Sequence, residues 1–324
     1  MKKLPLIVLT GPTGVGKTEL SIRLAKKING EIISADSIQV YRHFDIGSAK
    51  ITPSQMQGVK HYLIDILNPD EEFNVYRFKQ FALEAMNEIY AKNKIPIIVG
   101  GTGFYIQSIL YDIDFSTEES EDKAVREKYE EIAAVHGADY LHGMLKEVDP
   151  KSAELIHKNN IKRVIRALEY YEHTGEQISV HNEREAGKQS PYNFMYFVLN
   201  RERDILYQRI NKRVDKMIDD GLVEEVKGLL DMGYSRNLVS MQGLGYKEIA
   251  AFLNGEYTLE DAIEQIKQDT RHFAKRQLTW FRREREITFV NYEDYGNDIE
   301  RICGGFVQMI LAKGIKGIEQ TEND

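Results

Sequence analysis

The chain has one cysteine, Cys303, in 324 residues. That scarcity excludes an internal disulfide and any zinc site built on several thiolates, and Cys303 itself reads as a half-buried helix residue. No run of about 18 apolar residues is present to span a bilayer. The start, Met1-Lys2-Lys3, leads into a strand pattern and lacks the apolar core of a signal peptide, so a cytoplasmic location is expected. Internal repeats and long low-complexity tracts are missing too. Nor is there an excess of positive charge: 43 Lys and Arg stand against 51 Asp and Glu, a net charge of −8. Taken alone, that total argues against nucleic acid. The charge is uneven, however. Arg271, Lys275, Arg276, Arg282, Arg283 and Arg285 face one acid, Glu284, between Arg271 and Arg285, while acids gather at Glu118 to Asp122 and Glu319 to Asp324. Because exposed charges reach only ~8 Å at physiological salt, a local basic surface matters more to a polyanion than the sum does.

What is present starts with Gly11-Pro12-Thr13-Gly14-Val15-Gly16-Lys17-Thr18. All fixed positions of G-x-x-x-x-G-K-[ST] are filled, between an apolar strand pattern (Leu4 to Leu9) and a helix pattern (Glu19 to Ile28). Glycines let successive N–H groups converge on phosphate oxygens, Lys17 adds a positive charge, and Thr18 offers a hydroxyl to Mg²⁺. The positive end of the following helix points at the same anion. A diphosphate ester and a nucleotide present similar oxygens, so the loop alone leaves the ligand open.

Strand patterns recur at Leu4 to Thr10, Glu31 to Ser34, Tyr62 to Ile66, Ile95 to Val99, Phe194 to Leu199 and Ile287 to Asn291, mostly separated by helical patterns. This alternation predicts an α/β fold, a P-loop NTPase-like parallel sheet flanked by helices. From Thr117 to Tyr192 the pattern is helical without a convincing strand. The expected organisation is therefore a core of residues 1–116 and 193–315, an all-helical insertion of 117–192, and a disordered tail over 316–324. Asp149-Pro150 marks a break within the insertion, and His181 to Pro191 reads as a loop returning to the sheet. Thr258 to Asp261 resembles a capping box opening a helix that runs to about Arg285.

Candidate chemistry clusters after strand ends, where doubly wound sheets hold ligands. Asp36, in Ser34-Ala35-Asp36-Ser37-Ile38-Gln39, suits a metal ligand, a proton acceptor or a helix cap. Gln39 carries an amide suited to bidentate contact with adenine. Gly100-Gly101-Thr102-Gly103 follows a buried strand and is expected to line the site. Arg201, Arg203, Arg209 and Arg213 offer guanidinium groups to clamp a diphosphate, or pair with Glu202 and Asp204. Lys267, Arg271 and Lys275 share one helix face, a solvated charged stripe or a phosphate-binding one. His43 and His61 have no spacing partners and read as structural. Ile95 to Val99 ends without the acid that kinases place there to hold Mg²⁺.

With these residues in view, the chain resembles the bacterial tRNA dimethylallyltransferases, also called tRNA isopentenyltransferases. The likeness rests on the loop at 11 to 18, Asp36-Ser37-x-Gln39-Val40-Tyr41, Asp45-Ile46-Gly47-Ser48-Ala49-Lys50, Val99-Gly100-Gly101-Thr102-Gly103, Gly245-Tyr246, and Thr270-Arg271-x-x-Ala274-Lys275-Arg276-Gln277-x-Thr279-Trp280. These lie in order over Leu6 to Arg282; Ser48 stands where threonine is common in the family.

The resemblance implies transfer of a dimethylallyl group from dimethylallyl diphosphate to N6 of adenine 37 in tRNAs reading codons that begin with U. It implies the diphosphate and Mg²⁺ on Gly11 to Thr18 (Gly11, Pro12, Thr13, Gly14, Val15, Gly16, Lys17, Thr18), with Thr18 as metal ligand. Asp36 aligns with the general base, and Thr13 and Arg213 with groups supporting the diphosphate. Its tRNA contacts fall on Asp36, Ser37, Ile38, Gln39, Thr102, Arg126, Lys162, Arg163, Val164, Ile165, Arg166, Gln242, Gly243, Leu244, Gly245, Tyr246 and Lys247, to which the charge pattern adds Arg271, Lys275 and Arg276. A monomer gripping the anticodon stem-loop, with a channel admitting RNA and diphosphate from opposite ends and no membrane association, is the expectation. A P-loop small-molecule kinase, an adenine-nucleotide prenyltransferase and a non-catalytic RNA-binding protein are the alternatives.

Overall fold

The computed structural model describes residues 3–115 and 123–316. Met1-Lys2 and the acidic stretches Glu118 to Asp122 and Glu319 to Asp324 lie outside the described residues. Six parallel strands make one sheet: β1 (Pro5–Thr10), β2 (Gly30–Ala35), β3 (His61–Tyr62), β4 (Ile95–Gly100), β5 (Asn193–Asn200) and β6 (Ile287–Asn291), in the order β3-β2-β4-β1-β5-β6. Leu6, Ile7, Val8 and Leu9 are fully buried, as a central parallel strand covered on both faces requires. Pro96 is accommodated because β4 pairs with β1 only from Ile97 onward.

Around this sheet, α1 (Lys17–Ile28) follows β1, α2 (Pro53–Met56) and α3 (Val75–Ala91) precede β4, and α4 (Gly103–Leu110) follows it. Next come α5 (Lys123–Val148), α6 (Pro150–Leu155), α7 (Ile161–Thr174) and α8 (Ile178–Ala186). Then α9 (Arg203–Asp219), α10 (Leu222–Asp231), α11 (Tyr246–Leu253) and α12 (Leu259–Phe281) separate β5 from β6, and α13 (Ile299–Ala312) closes the order. Compact packing divides the chain into two units, Met1–Leu110 with Pro191–Asp324, and Tyr111–Ser190. The first buries α1 and α13 against the sheet, with Phe197 stacked on Phe306. The second is all helical; Leu141, Leu145, Val164, Ile165 and Leu168 form its own core, and its longest helix, α5, breaks at Gly137 (φ 84°).

Several sequence expectations are corrected here. The third strand stops at Tyr62, because Leu63 (φ 63°) and Asp65 (φ 56°) take left-handed backbone that a β-ladder cannot follow. Most of His181 to Pro191 is helix: α8 continues to Ala186, steadied where Ser179 N–H donates to buried Asp149 and Asp114 N–H to buried Glu185. The capping box at Thr258 and Asp261 forms, but α12 ends at Phe281, leaving Arg282, Arg283 and Arg285 in the turn before β6. Cys303 is fully buried, and Ile315 still packs into the core beyond Ala312.

Candidate active site

Strand polarity gathers the chemistry. At the carboxyl ends of β1, β2, β4, β5 and β6 stand the glycine loop, Asp36, Gly101-Thr102, Arg201 and Tyr292 respectively. Gly11, Gly14 and Gly16 all have positive φ, and a Cβ at Gly11 would lie 2.5 Å from the Leu199 carbonyl oxygen. Five of the loop's carbonyls are taken by side-chain donors. Lys17 Nζ donates to Gly11 and Pro12 (2.8 and 3.0 Å), Arg209 Nε to Gly14 (2.9 Å), Arg201 Nε to Val15 (3.0 Å) and the Tyr292 hydroxyl to Gly16 (3.0 Å). Arg201 also stacks on the Tyr292 ring, 3.6 Å from its centroid. The N–H groups of Gly14 and Gly16, by contrast, have no acceptor among the described residues, and the first-turn N–H groups of α1 have no intrahelical partner. The result is an anion cradle.

Two further cations sit close to it. Lys17 is half-buried, and desolvation with the nearby Arg213 guanidinium pushes its ammonium down to about 7, against the pull of Asp36. Arg213 is half-buried too, its charge disfavoured by desolvation and supported by Asp36. The arginine run therefore divides: Arg201 and Arg209 hold the loop's backbone, while Arg213 joins Lys17 and Asp36. Asp36 Oδ1 accepts from Ile38 N–H (2.9 Å) and Gln39 N–H (3.2 Å), and Oδ2 has no hydrogen bond among the described residues. One oxygen caps the turn and the other is available.

Gln39 uses each end of its amide once. Its Oε1 accepts from the Ser34 hydroxyl and its Nε2 donates to the Ser48 carbonyl, both at 3.2 Å, which ties β2 to the Asp45–Lys50 loop and leaves one lone pair and one N–H of the amide for a further partner. Sequence reading also missed Glu225 on α10, whose carboxylate accepts from the N–H groups of Asp45, Ile46 and Gly47 (3.0, 2.7 and 3.1 Å) and from the Tyr246 hydroxyl (2.7 Å). Tyr246 is fully buried and accepts from Ser48 N–H; a Cβ at Gly47 would meet its ring at 2.6 Å. A Cβ at Gly243 would lie 3.2 Å from Ile38, so the Gln242–Lys247 stretch adjoins the Asp36 turn. Gln242 and Lys247 are exposed there, Lys247 paired with Glu248 and Asp269. Thr102 N–H donates to the Ala35 carbonyl (3.3 Å), beside Asp36.

On α12 the expected stripe is split. Lys267 pairs with Asp215, and Arg271 bonds Asn211 and Glu264. Lys275 and Arg276 have no acidic partner among the described residues, and with His272, Thr279, Trp280 and Arg283 they line an open groove of about 400 Å³. In the helical unit, taken by itself, Lys162 and Arg163 are exposed and Arg166 is half-buried, whereas Val164 and Ile165 point into the core and offer no side chain to a ligand. Arg126 makes a bidentate pair with buried Glu169 (2.8 and 3.0 Å).

As for a metal, no cluster of three His, Cys, Asp or Glu exists among the described residues. The Thr18 hydroxyl has no hydrogen-bond partner among them. Mg²⁺ commonly takes one protein oxygen, substrate phosphate oxygens and water, and this donor set fits that habit.

The IPP transferase family model matches residues 39–284. A tRNA dimethylallyltransferase of Lachnoclostridium phytofermentans is 63% identical over 311 residues, 96% of this chain and 99% of that protein. The crystal structure of the full-length tRNA isopentenylpyrophosphate transferase from Bacillus halodurans superposes with a TM-score of 0.71 at 41% identity, covering 97% of this chain and 98% of the other. A eukaryotic dimethylallyltransferase acting on tRNA reaches a TM-score of 0.79 at 28% identity, over 99% and 87% of the two chains. A six-stranded parallel sheet, a phosphate-type loop on its first strand and these likenesses agree on one conclusion: the chain belongs to the IPP transferase family.

Proposed function

We propose that the chain is a tRNA dimethylallyltransferase that moves a dimethylallyl group from dimethylallyl diphosphate to N6 of adenine 37, in tRNAs reading codons that begin with U. N6-isopentenyladenosine and diphosphate are the products. The observation that carries this reading is the pairing of an anion cradle, with half-buried Lys17 and Arg213 beside it, and a carboxylate with one oxygen left without a hydrogen bond among the described residues at the next strand end.

An exocyclic adenine nitrogen is a weak nucleophile, because its lone pair is delocalised into the ring. Asp36 Oδ2 accepts the N6 proton as the new N6–C1 bond forms and the C1–O bond to diphosphate breaks. A positioned carboxylate typically contributes ~10²- to 10⁴-fold. Negative charge grows on the leaving oxygens, where the glycine-loop N–H groups, Thr13, Lys17 and Arg213 are preorganised to meet it. Thr18 would hold Mg²⁺, which supplies further neutralisation of the diphosphate when bound. An adenine stacked in the anticodon loop must be turned outward, at a cost of a few kcal/mol recovered through edge and phosphate contacts. For those contacts we assign Ser37, Ile38, Thr102, Gln242 to Lys247, Lys275 and Arg276 in the sheet unit. In the helical unit we assign Lys162, Arg163 and Arg166, with Arg126 holding its pair. We read the chain as a cytoplasmic monomer; no helix among the described residues is long and apolar enough to cross a membrane.

The test is incubation of an anticodon stem-loop RNA with labelled dimethylallyl diphosphate, followed by mapping of the labelled nucleoside. Label on the adenine 3′ to the anticodon is expected. Consumption of ATP with a small hydroxyl acceptor, and no label in RNA, would replace this reading with a kinase.

A further inference from the structure

Gln277 on α12 is buried, between exposed Arg276 and half-buried Leu278. Its amide is spent on the backbone of two separate loops: Oε1 accepts from Thr13 N–H at 2.9 Å, and Nε2 donates to the Gly101 carbonyl at 3.0 Å. A primary amide supplies one acceptor and one donor side by side, which a carboxylate, hydroxyl or ammonium of the same length does not. The seat is shaped for close approach. A Cβ on Gly101 would lie 2.1 Å from the Gln277 nitrogen, and one on Gly103 would lie 2.2 Å from the Trp280 ring. From Gly101 the chain passes to Thr102, whose N–H reaches Ala35. Hydrogen bonds and two short backbone steps thus lead from the glycine cradle, through Gln277, to the strand end that carries Asp36.

We infer that Gln277 is a positioning residue that sets the spacing between the diphosphate loop and the acceptor edge formed by Gly101, Thr102 and Asp36. This rests on the transfer reading of the site. Alkyl transfer needs its reacting atoms ~3–3.5 Å apart, and a ~1 Å misplacement can cost ~100-fold. Each loop keeps its own contacts to its own substrate when Gln277 is lost. The expected signature is therefore a fall in kcat with little change in either KM.

Gln277→Met keeps length and volume while removing both bonds; Gln277→Asn keeps the amide but is one methylene too short to reach both loops. Each is assayed beside wild type with labelled dimethylallyl diphosphate and the anticodon stem-loop, and folding is followed by circular dichroism. A tenfold or greater fall in kcat, with both KM values within threefold of wild type, is expected in each folded variant. A smaller fall in a folded variant, a loss carried by KM, or failure of both variants to fold would overturn the inference. Wild type without transfer activity would instead remove the functional reading itself, and this inference with it.

Discussion

At the residue scale, Lys17 carries the sharpest consequence. Burial lowers its ammonium from the ordinary 10.5 to about 7, so at pH 8 the free enzyme holds it mostly neutral, and a bound diphosphate draws a proton back. Calorimetry of inorganic diphosphate binding at pH 8, in buffers of different ionisation enthalpy, should show proton uptake that fades by pH 5.5. The sign for stability follows from the same depression: between about 7 and 10.5 the unfolded chain holds the extra proton, so the Lys17 contribution to stability rises with pH over that window and is least favourable below it. Lys17→Ala should raise the KM for dimethylallyl diphosphate far more than the Kd for tRNA. Asp36 calls for a subtler change, because one of its oxygens caps the Ile38-Gln39 turn. Asp36→Asn can keep that cap while removing the proton acceptor, so kcat should fall ~10²- to 10⁴-fold with RNA binding retained; normal turnover would remove Asp36 from the mechanism. Both residues were legible in the sequence, Lys17 through a local motif and Asp36 through its place after a strand, yet the sequence left open whether Asp36 caps or reacts. In the structure one oxygen caps the turn, and the other has no hydrogen bond among the described residues.

At the scale of elements, the loop over Asp45 to Ser48 depends on a carboxylate from α10. Removing it in Glu225→Ala leaves three backbone N–H groups and the Tyr246 hydroxyl to find other partners. A loss of about 1–3 kcal/mol in urea unfolding is expected, together with a higher KM for RNA. An unchanged unfolding midpoint would show that water replaces Glu225 without cost. Neither Glu225 nor Gln277 was legible beforehand as a tie, and the reason is common to both. Their backbone partners lie 176 to 264 positions away for Gln277 and 178 to 180 away for Glu225, and backbone partners leave no residue-type signature. Tyr292, bonded to Gly16 across 276 positions, was hidden in the same way. The strands were legible because buried parallel strands are apolar throughout; the false extension to Ile66 arose because hydropathy does not report a positive φ at Leu63.

At the scale of the whole molecule, a chain of net charge −8 must bind a polyanion through local surfaces. Lys275 and Arg276 on α12, which have no acidic partner among the described residues, are the surface we assign to that task. Lys275→Ala with Arg276→Ala should weaken stem-loop binding and reduce the slope of log K against log salt by ~1–2, at roughly 0.7–0.9 per phosphate contact. A slope equal to wild type would take these side chains out of the RNA interface. The fold was readable at this scale from strand and helix alternation, whereas the division of α12 between cations paired to α9 and cations left open depends on packing. The sole thiol, Cys303, lies sealed in α13, and burial raises its pKa so that little thiolate forms. Maleimide dyes should therefore pass over the native protein, and a cysteine introduced at a surface site such as Thr279 would carry the only fluorophore, ready to report RNA docking without a cysteine-free background.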